Sequence, residues 1–435
     1  MMNKFKAYRG SIFHFLREPM GHDDSDSYRY FDDGLLLLDE QGKILRLGSY
    51  NGLLQELPEH TEIIDYSGNW IIPGFIDTHI HYAQMEIIAS FGQQLLEWLN
   101  TYVFPAERKH ENPEYADQIA KLFIEELLHN GTTTAMTYST VHKVSAEALF
   151  KRASDVNMRI FTGKTLMDRH APDYLLDTPQ LAYDESKELL NKWHNKGRLS
   201  YVITPRFAPT STEAQLEMAQ ALVSEFPDAY VQTHLSENKD EVEWVKNLYP
   251  WAKDYTDVYD NYSLLGSRSV FGHAIHLSDR EFKRLVESQS IISWCPTSNF
   301  FLGSGIFDIN KAKLEGNRIG IGTDVGAGSS FSILRTLNVA YKAAAMQGVA
   351  FSPLDGFYSV TLGGAKALSV ADKIGNFETG KEADFLVLDM NSTPLLCNKM
   401  SRANTIEEKI FNLMVLGDDR AIAKTYICGR LAYEK

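Results

Sequence analysis

Apolar and polar positions along this chain fall into short runs whose period switches back and forth. Strand-like runs occupy Ile71–His81, Gly131–Tyr138, Met158–Leu166, Tyr201–Pro209, Tyr230–Ser236, Ser269–Leu277, Ile291–Pro296 and Arg318–Asp324. Segments with apolar residues at helical spacing lie between most of them. Pro113–His129 is one such segment, with Gly131 just past its end. Thr210-x-x-Glu213 and Ser278-x-x-Glu281 have the form of capping boxes opening the next helices. Eight strand–helix units over roughly 300 residues is the count of a (β/α)8 barrel. An open doubly wound sheet is the competing layout, but no G-x-G-x-x-G follows the first strand.

The two ends of the chain are patterned differently. Residues 1–70 read as short strands and turns, with Gly34–Asp39 and Gln41–Gly48 forming a hairpin around a Gly-containing turn. Ala383–Leu388 and Ala423–Leu431 also read as strands. The predicted fold is therefore α/β. A TIM-like (β/α)8 barrel spans 71–374, and a small β-sandwich domain is built from the N- and C-terminal segments, 1–70 plus 375–435.

Composition narrows the class without changing this layout. With 43 Lys+Arg against 57 Asp+Glu, the chain carries a formal net charge of −14, which argues against a nucleic-acid partner. Cys295, Cys397 and Cys428 are an odd count with no C-x-x-C spacing, so a reducing cytosol is expected rather than a disulfide scaffold. No apolar run approaches membrane length, and the N-terminal residues lack the apolar core of a secretory signal. A cytoplasmic enzyme with no membrane partner is the expectation.

The chemistry lies at the strand ends. His79-Ile80-His81 closes the first barrel strand, and on a strand the i, i+2 pair leaves from one face. His234 closes strand five, His273 and His276 fall on strand six, and Asp324 closes strand eight. Each has an ordinary role open to it: His234 as a core imidazole, Glu237 at the start of a solvated helix face, Asp324 as a helix cap. Their coincidence at one barrel mouth favours a shared site. His79, His81, His234 and Asp324 form an N3O set suited to zinc or ferrous iron, with a water on the remaining position. Glu237, three residues past His234, is placed to shuttle protons between that water and a substrate ring nitrogen. His273 is placed to hydrogen-bond the attacking water, and Asp324 to take its proton. His276 is expected to be structural. A binuclear centre wants a lysine at the end of strand four, where Tyr201–Phe207 has none, and Lys164 on strand three is out of place. One ion is expected.

At these residues the chain resembles the amidohydrolase superfamily, through Pro73–His81, His234, His273, Asp324 and Gly380-Lys381-Glu382-Ala383-Asp384. It resembles the guanine-deaminating branch more narrowly. The residues that carry this are Gln84, Leu95–Leu99 with Phe104-Pro105-Ala106-Glu107, Thr204–Thr210, His234–Asn238, Pro296-Thr297-Ser298-Asn299 and Gly303-Ser304-Gly305. The resemblance implies one Zn2+ per subunit on His79, His81, His234 and Asp324, with Fe2+ the alternative, and Glu237 as proton shuttle. It implies guanine contacts from Gln84, Arg206 and Phe207, with His81, His234, Glu237 and Asp324 on the same ligand. It also implies hydrolysis of guanine to xanthine and ammonia by a homodimer. An arginine fork matches guanine O6 and N7, and an aromatic neighbour stacks on a purine. An ion pair with a nearby acid is the other role open to Arg206.

Overall fold

The structure, a computed structural model, describes residues 5–91 and 95–435. Its strands are β1 (Lys6–Phe15), β2 (Tyr28–Leu38), β3 (Ile44–Ser49), β4 (Glu62–Pro73), β5 (Phe75–His81), β6 (Thr132–Tyr138), β7 (Arg159–Gly163), β8 (Thr165–Leu166), β9 (Leu199–Pro205), β10 (Tyr230–Leu235), β11 (Ser269–His273), β12 (Ile291–Trp294), β13 (Arg318–Ile321), β14 (Phe385–Leu388), β15 (Ile422–Ile427) and β16 (Arg430–Glu434). Strands β5 to β13 form one sheet in the order β13-β12-β11-β10-β9-β7-β6-β5, with β8 on β9. Its pairings are parallel. The ends meet where the His81 N–H donates to the Val325 carbonyl (2.7 Å) and the Asp324 N–H to the His79 carbonyl (2.9 Å). Asp77 reinforces that seam by accepting from the Thr323 hydroxyl at 2.5 Å and the Thr323 N–H at 3.1 Å. This is a (β/α)8 barrel.

The barrel floor is apolar. Ile76, Met136, Phe161, Val202, Tyr230, Val270 and Ile291, one from each of seven strands, pack together with Leu368 and Ile374. Polar side chains therefore collect at the opposite, C-terminal end of the strands.

The remaining seven strands form one mixed sheet, ordered β16-β15-β14-β4-β1-β2-β3. Tyr8, Ile12, Leu36, Leu38, Ile71, Phe385 and Tyr426, drawn from β1, β2, β4, β14 and β15, pack into one apolar cluster on it. The Tyr8 hydroxyl donates to the Gly429 carbonyl (2.9 Å), tying β1 to the β15–β16 turn. The two ends of the chain thus share one β-layer beside the barrel.

Three local readings need correction. The expected strand Ile71–His81 is two strands. β4 ends at Pro73 in the small sheet, pairing with β14, and β5 begins at Phe75 in the barrel. Gly74 makes the crossing possible, because a Cβ there would stand 2.1 Å from Thr133 Oγ1. Ala423–Leu431 is a hairpin rather than a strand, since Cys428 (φ 45°) and Gly429 (φ 65°) both take left-handed backbone and turn the chain. The helix Glu213–Glu225 is capped by Thr212, whose Oγ1 accepts from the Gln215 N–H, and not by Thr210, whose hydroxyl donates to the Phe207 carbonyl. The Ser278–Glu281 capping box and the Pro113–His129 helix match their sequence patterns. Among the described residues no helix is long and apolar enough to cross a membrane.

Buried ion pairs bolt the two layers together. Arg198 reaches Asp384 and Glu382 (Nε to Oε2, 3.0 Å), and Arg159 reaches the same Glu382 at 2.6 Å. Arg198 and Asp384 are both buried, so removing one charge strands the other. Arg198→Met is expected to cost about 3–5 kcal/mol of stability. A thermal melt checks this, and an unchanged midpoint would show that the pairs do not hold the layers.

Candidate metal centre and substrate pocket

The histidines that the sequence places on β5, β10 and β11 meet over the barrel mouth. His79 and His81 leave the same face of β5, and their Nε2 atoms are 3.3 Å apart. His234 Nε2 is 3.3 Å from His81 Nε2. Asp324 Oδ1 lies 3.4 Å from His79 Nε2 and 3.2 Å from His81 Nε2. Glycines make the room: a Cβ on Gly272 would stand 2.6 Å from His79 Cε1, and one on Gly322 2.7 Å from its Cβ. Ser236 (φ 51°), His273 (φ 70°), Ala274 (φ 52°) and Asp324 (φ 51°) all take left-handed backbone at or just past the ends of their strands. Such backbone costs roughly 1–2 kcal/mol per non-glycine residue and collects at functional sites.

The donor atoms of this convergence could hold a cation. His234 Nδ1 lies 2.7 Å from the Arg206 carbonyl, which can only accept, so Nδ1 carries the proton and Nε2 presents a lone pair. Burial pushes the His81 imidazole down to about 3 and lowers His79 and His234 as well, so all three are neutral near pH 7. Burial by itself would raise Asp324, but hydrogen bonds from His79 and His81 outweigh it and hold the carboxyl well below its ordinary range. The Nε2 atoms of His79 and His81 and the Asp324 carboxylate oxygen lie 3.2–3.4 Å apart, close enough to share one cation. Three nitrogens and one oxygen fit a borderline divalent ion. Beneath them Cys295 falls within reach of His79, His273 and Asp324. Burial and the Asp324 charge drive its thiol well up, so it stays protonated.

Glu237 stands beside this set. Its Oε1 accepts from the Ser304 hydroxyl (3.2 Å), and its Oε2 lies 3.4 Å from His273 Nε2. Burial, with the Asp324 charge second, pushes its carboxyl up to about 8. Its loop is fixed by a capping box on the helix Lys239–Leu248, in which Glu241 Oε2 accepts the N–H groups of Glu237 (2.9 Å) and Asn238 (3.0 Å). His273 Nδ1 is held by Asn299 Oδ1 at 2.9 Å, which leaves Nε2 toward Glu237 and Asp324. His276 Nε2 lies 2.9 Å from the Ser304 carbonyl. Lys164 points elsewhere, into Asp177 (2.8 Å) and Glu185 (2.5 Å).

A pocket opens above the cluster. His81, Gln84, Arg206, Phe207, His234, Glu237, His273 and Asp324 line it, and Leu95, Trp98, Leu99 and Leu302 supply an apolar wall. His79 is buried and is not among the lining residues. Arg206 lines the pocket, and its Nη1 pairs with buried Glu107 at 2.7 Å. The residues the sequence reading gave no role are Glu107, Glu241, Asn299 and Ser304. Glu241 carried a legible signal in Asn238-x-x-Glu241.

The amidohydrolase family model matches residues 70–432. The guanine deaminase of Escherichia coli (strain K12) is 50% identical over 99% of this chain and 98% of its own length. The solved structure of E. coli guanine deaminase superposes with a TM-score of 0.96 at 48% identity, covering 99% of each chain. That of guanine deaminase from C. acetobutylicum, with bound guanine in its active site, superposes with a TM-score of 0.88 at 31% identity, covering 99% of this chain and all of the other. Fold, mouth cluster and sequence agree: this chain belongs to the amidohydrolase family.

Proposed function

We propose that the protein is a guanine deaminase, hydrolysing guanine to xanthine and ammonia. The observation that carries this is the joining of two parts in one pocket: a hydrolytic cluster and, beside it, Gln84, Arg206 and Phe207 facing the same space. His79, His81, His234 and Asp324 would hold one divalent ion, zinc by preference. Bound there, that ion supplies Lewis-acid activation of a water. The remaining work falls to side chains. Phe207 and the apolar wall take the purine face, and Arg206 donates to the C6 oxygen. Asp324 accepts a proton from the attacking water. Glu237, whose burial raises its carboxyl to about 8, gives its proton to a purine ring nitrogen as water adds at C2. It then carries protons to the departing amine. His273, held by Asn299, keeps the water aligned.

Ammonia release from guanine, with a far slower rate on adenine, is the expected assay result. Equal rates on both would refute the substrate assignment. Arg206→Gln should raise the Michaelis constant about 5- to 150-fold, the worth of a good bidentate contact, with metal content unchanged. An unaltered constant would remove Arg206 from the site. Gly272→Ala, by pushing on His79, should weaken metal retention about 10- to 100-fold in a folded protein, as read by elemental analysis after dialysis. Full retention would show that the His79 ring need not sit where it does.

A further inference from the structure

We propose that Glu107 is a positioning residue that sets which hydrogen-bonding edge the pocket reads; this rests on the guanine reading above. Glu107 is fully buried and stands behind Gln84 and Arg206 rather than in the pocket lining. Both its oxygens accept from Arg206 Nη1, at 2.8 and 2.7 Å, and its Oε1 also accepts from Gln84 Nε2 at 3.1 Å. A carboxylate offers acceptors only. The Gln84 amide must therefore turn its NH2 group to Glu107, which leaves its carbonyl oxygen for the ligand. An amide at position 107 would accept either orientation. Arg206 is constrained the same way. With Nη1 committed, its planar fork can present only the remaining donors to the pocket.

The edge so defined is an acceptor from Gln84 beside donors from Arg206. It is complementary to a ring N–H next to a carbonyl, the lactam edge of guanine. An amino-substituted edge, with a bare ring nitrogen next to an NH2, meets acceptor with acceptor and donor with donor. Sites built around a specific donor–acceptor pattern reject analogues lacking it, because their polar groups are left unpaired. Glu107 joins residues 23 and 99 positions away in the chain. A purely structural account would have it only clamp the Phe104–Arg108 helix onto the barrel.

The two accounts differ in how they treat two ligands. The Michaelis constant for guanine and the inhibition constant of 2-aminopurine, which keeps the C2 amine but lacks the lactam edge, are measured on metal-loaded wild type and Glu107→Gln. The guanine constant should rise about tenfold or more, on the scale of one lost bidentate contact, while kcat and the 2-aminopurine constant each move less than about threefold. Equal shifts for both ligands, or no shift, would overturn the proposal and leave a clamp. Should Glu107→Gln fail to fold by circular dichroism, Glu107→Asp, which keeps the charge but withdraws it, is read the same way. Selective loss of guanine supports the assignment, and an unchanged ratio overturns it. A wild type that releases no ammonia from guanine sinks the functional reading instead, and this inference falls with it.

Discussion

Asp324→Asn is expected to leave a folded barrel that retains far less divalent metal and deaminates guanine at least about a thousandfold more slowly. The reasoning starts from charge. The atoms that converge at the mouth are three imidazole nitrogens, kept neutral mainly by burial, and one carboxylate oxygen. Of the other acids nearby, Cys295 is held protonated by burial and the Asp324 charge, and the same two causes raise Glu237. Asp324 is then the single negative ligand of the set, and an isosteric amide removes that charge with almost no change in volume. The Lewis-acid contribution at stake is several kcal/mol, and about 4 kcal/mol corresponds to about a thousandfold in rate. The fold should survive, because the Asp324 backbone bonds to His79 and Gly328 remain and the seam between β5 and β13 is carried by Asp77. Elemental analysis, circular dichroism and ammonia release check the three parts separately. A variant with full metal and full activity would take Asp324 out of the centre.

The barrel was legible because its signals are local. Each strand is a short apolar run, and the i, i+2 spacing of His79 and His81 fixes their common face without any tertiary knowledge. The His234 and Asp324 assignments came from the same source, since residues just past a barrel strand have one place to go. Gly74 was not legible. Nothing in Ile71–His81 says that its first three residues pair with a strand more than three hundred positions away, and only the closeness of Thr133 shows why glycine is needed. The left-handed turn at Cys428 was missed for a related reason, because cysteine is not a turn-former by composition. Glu107 illustrates the deeper limit. Its motif stood out, but its role depends on Gln84 and Arg206, which only the closed barrel brings to it.

Glu237→Gln should separate chemistry from binding most cleanly. The side chain belongs to no part of the converging ligand set: its oxygens lie against Ser304 and His273. Metal content is therefore expected to stay at the wild-type level, and the Michaelis constant for guanine to change only slightly. Turnover should fall by about 10²–10⁴-fold, the range of a positioned acid–base group. The physical reason is in the burial. Buried, and with the Asp324 charge nearby, the carboxyl rises to about 8 and holds its proton near pH 7. It can then deliver that proton to the ring nitrogen when water adds at C2 and recover one for the amine that leaves. Glutamine has the same shape and keeps the hydrogen bond to Ser304, but it cannot exchange a proton in either direction. Glu237→Asp, with the carboxyl drawn back, should recover part of the rate. If Glu237→Gln loses metal along with activity, Glu237 is acting on the ion rather than on the substrate. If it turns over at the wild-type rate, the proton is carried by another group, and His273, 3.4 Å away, is the first to test.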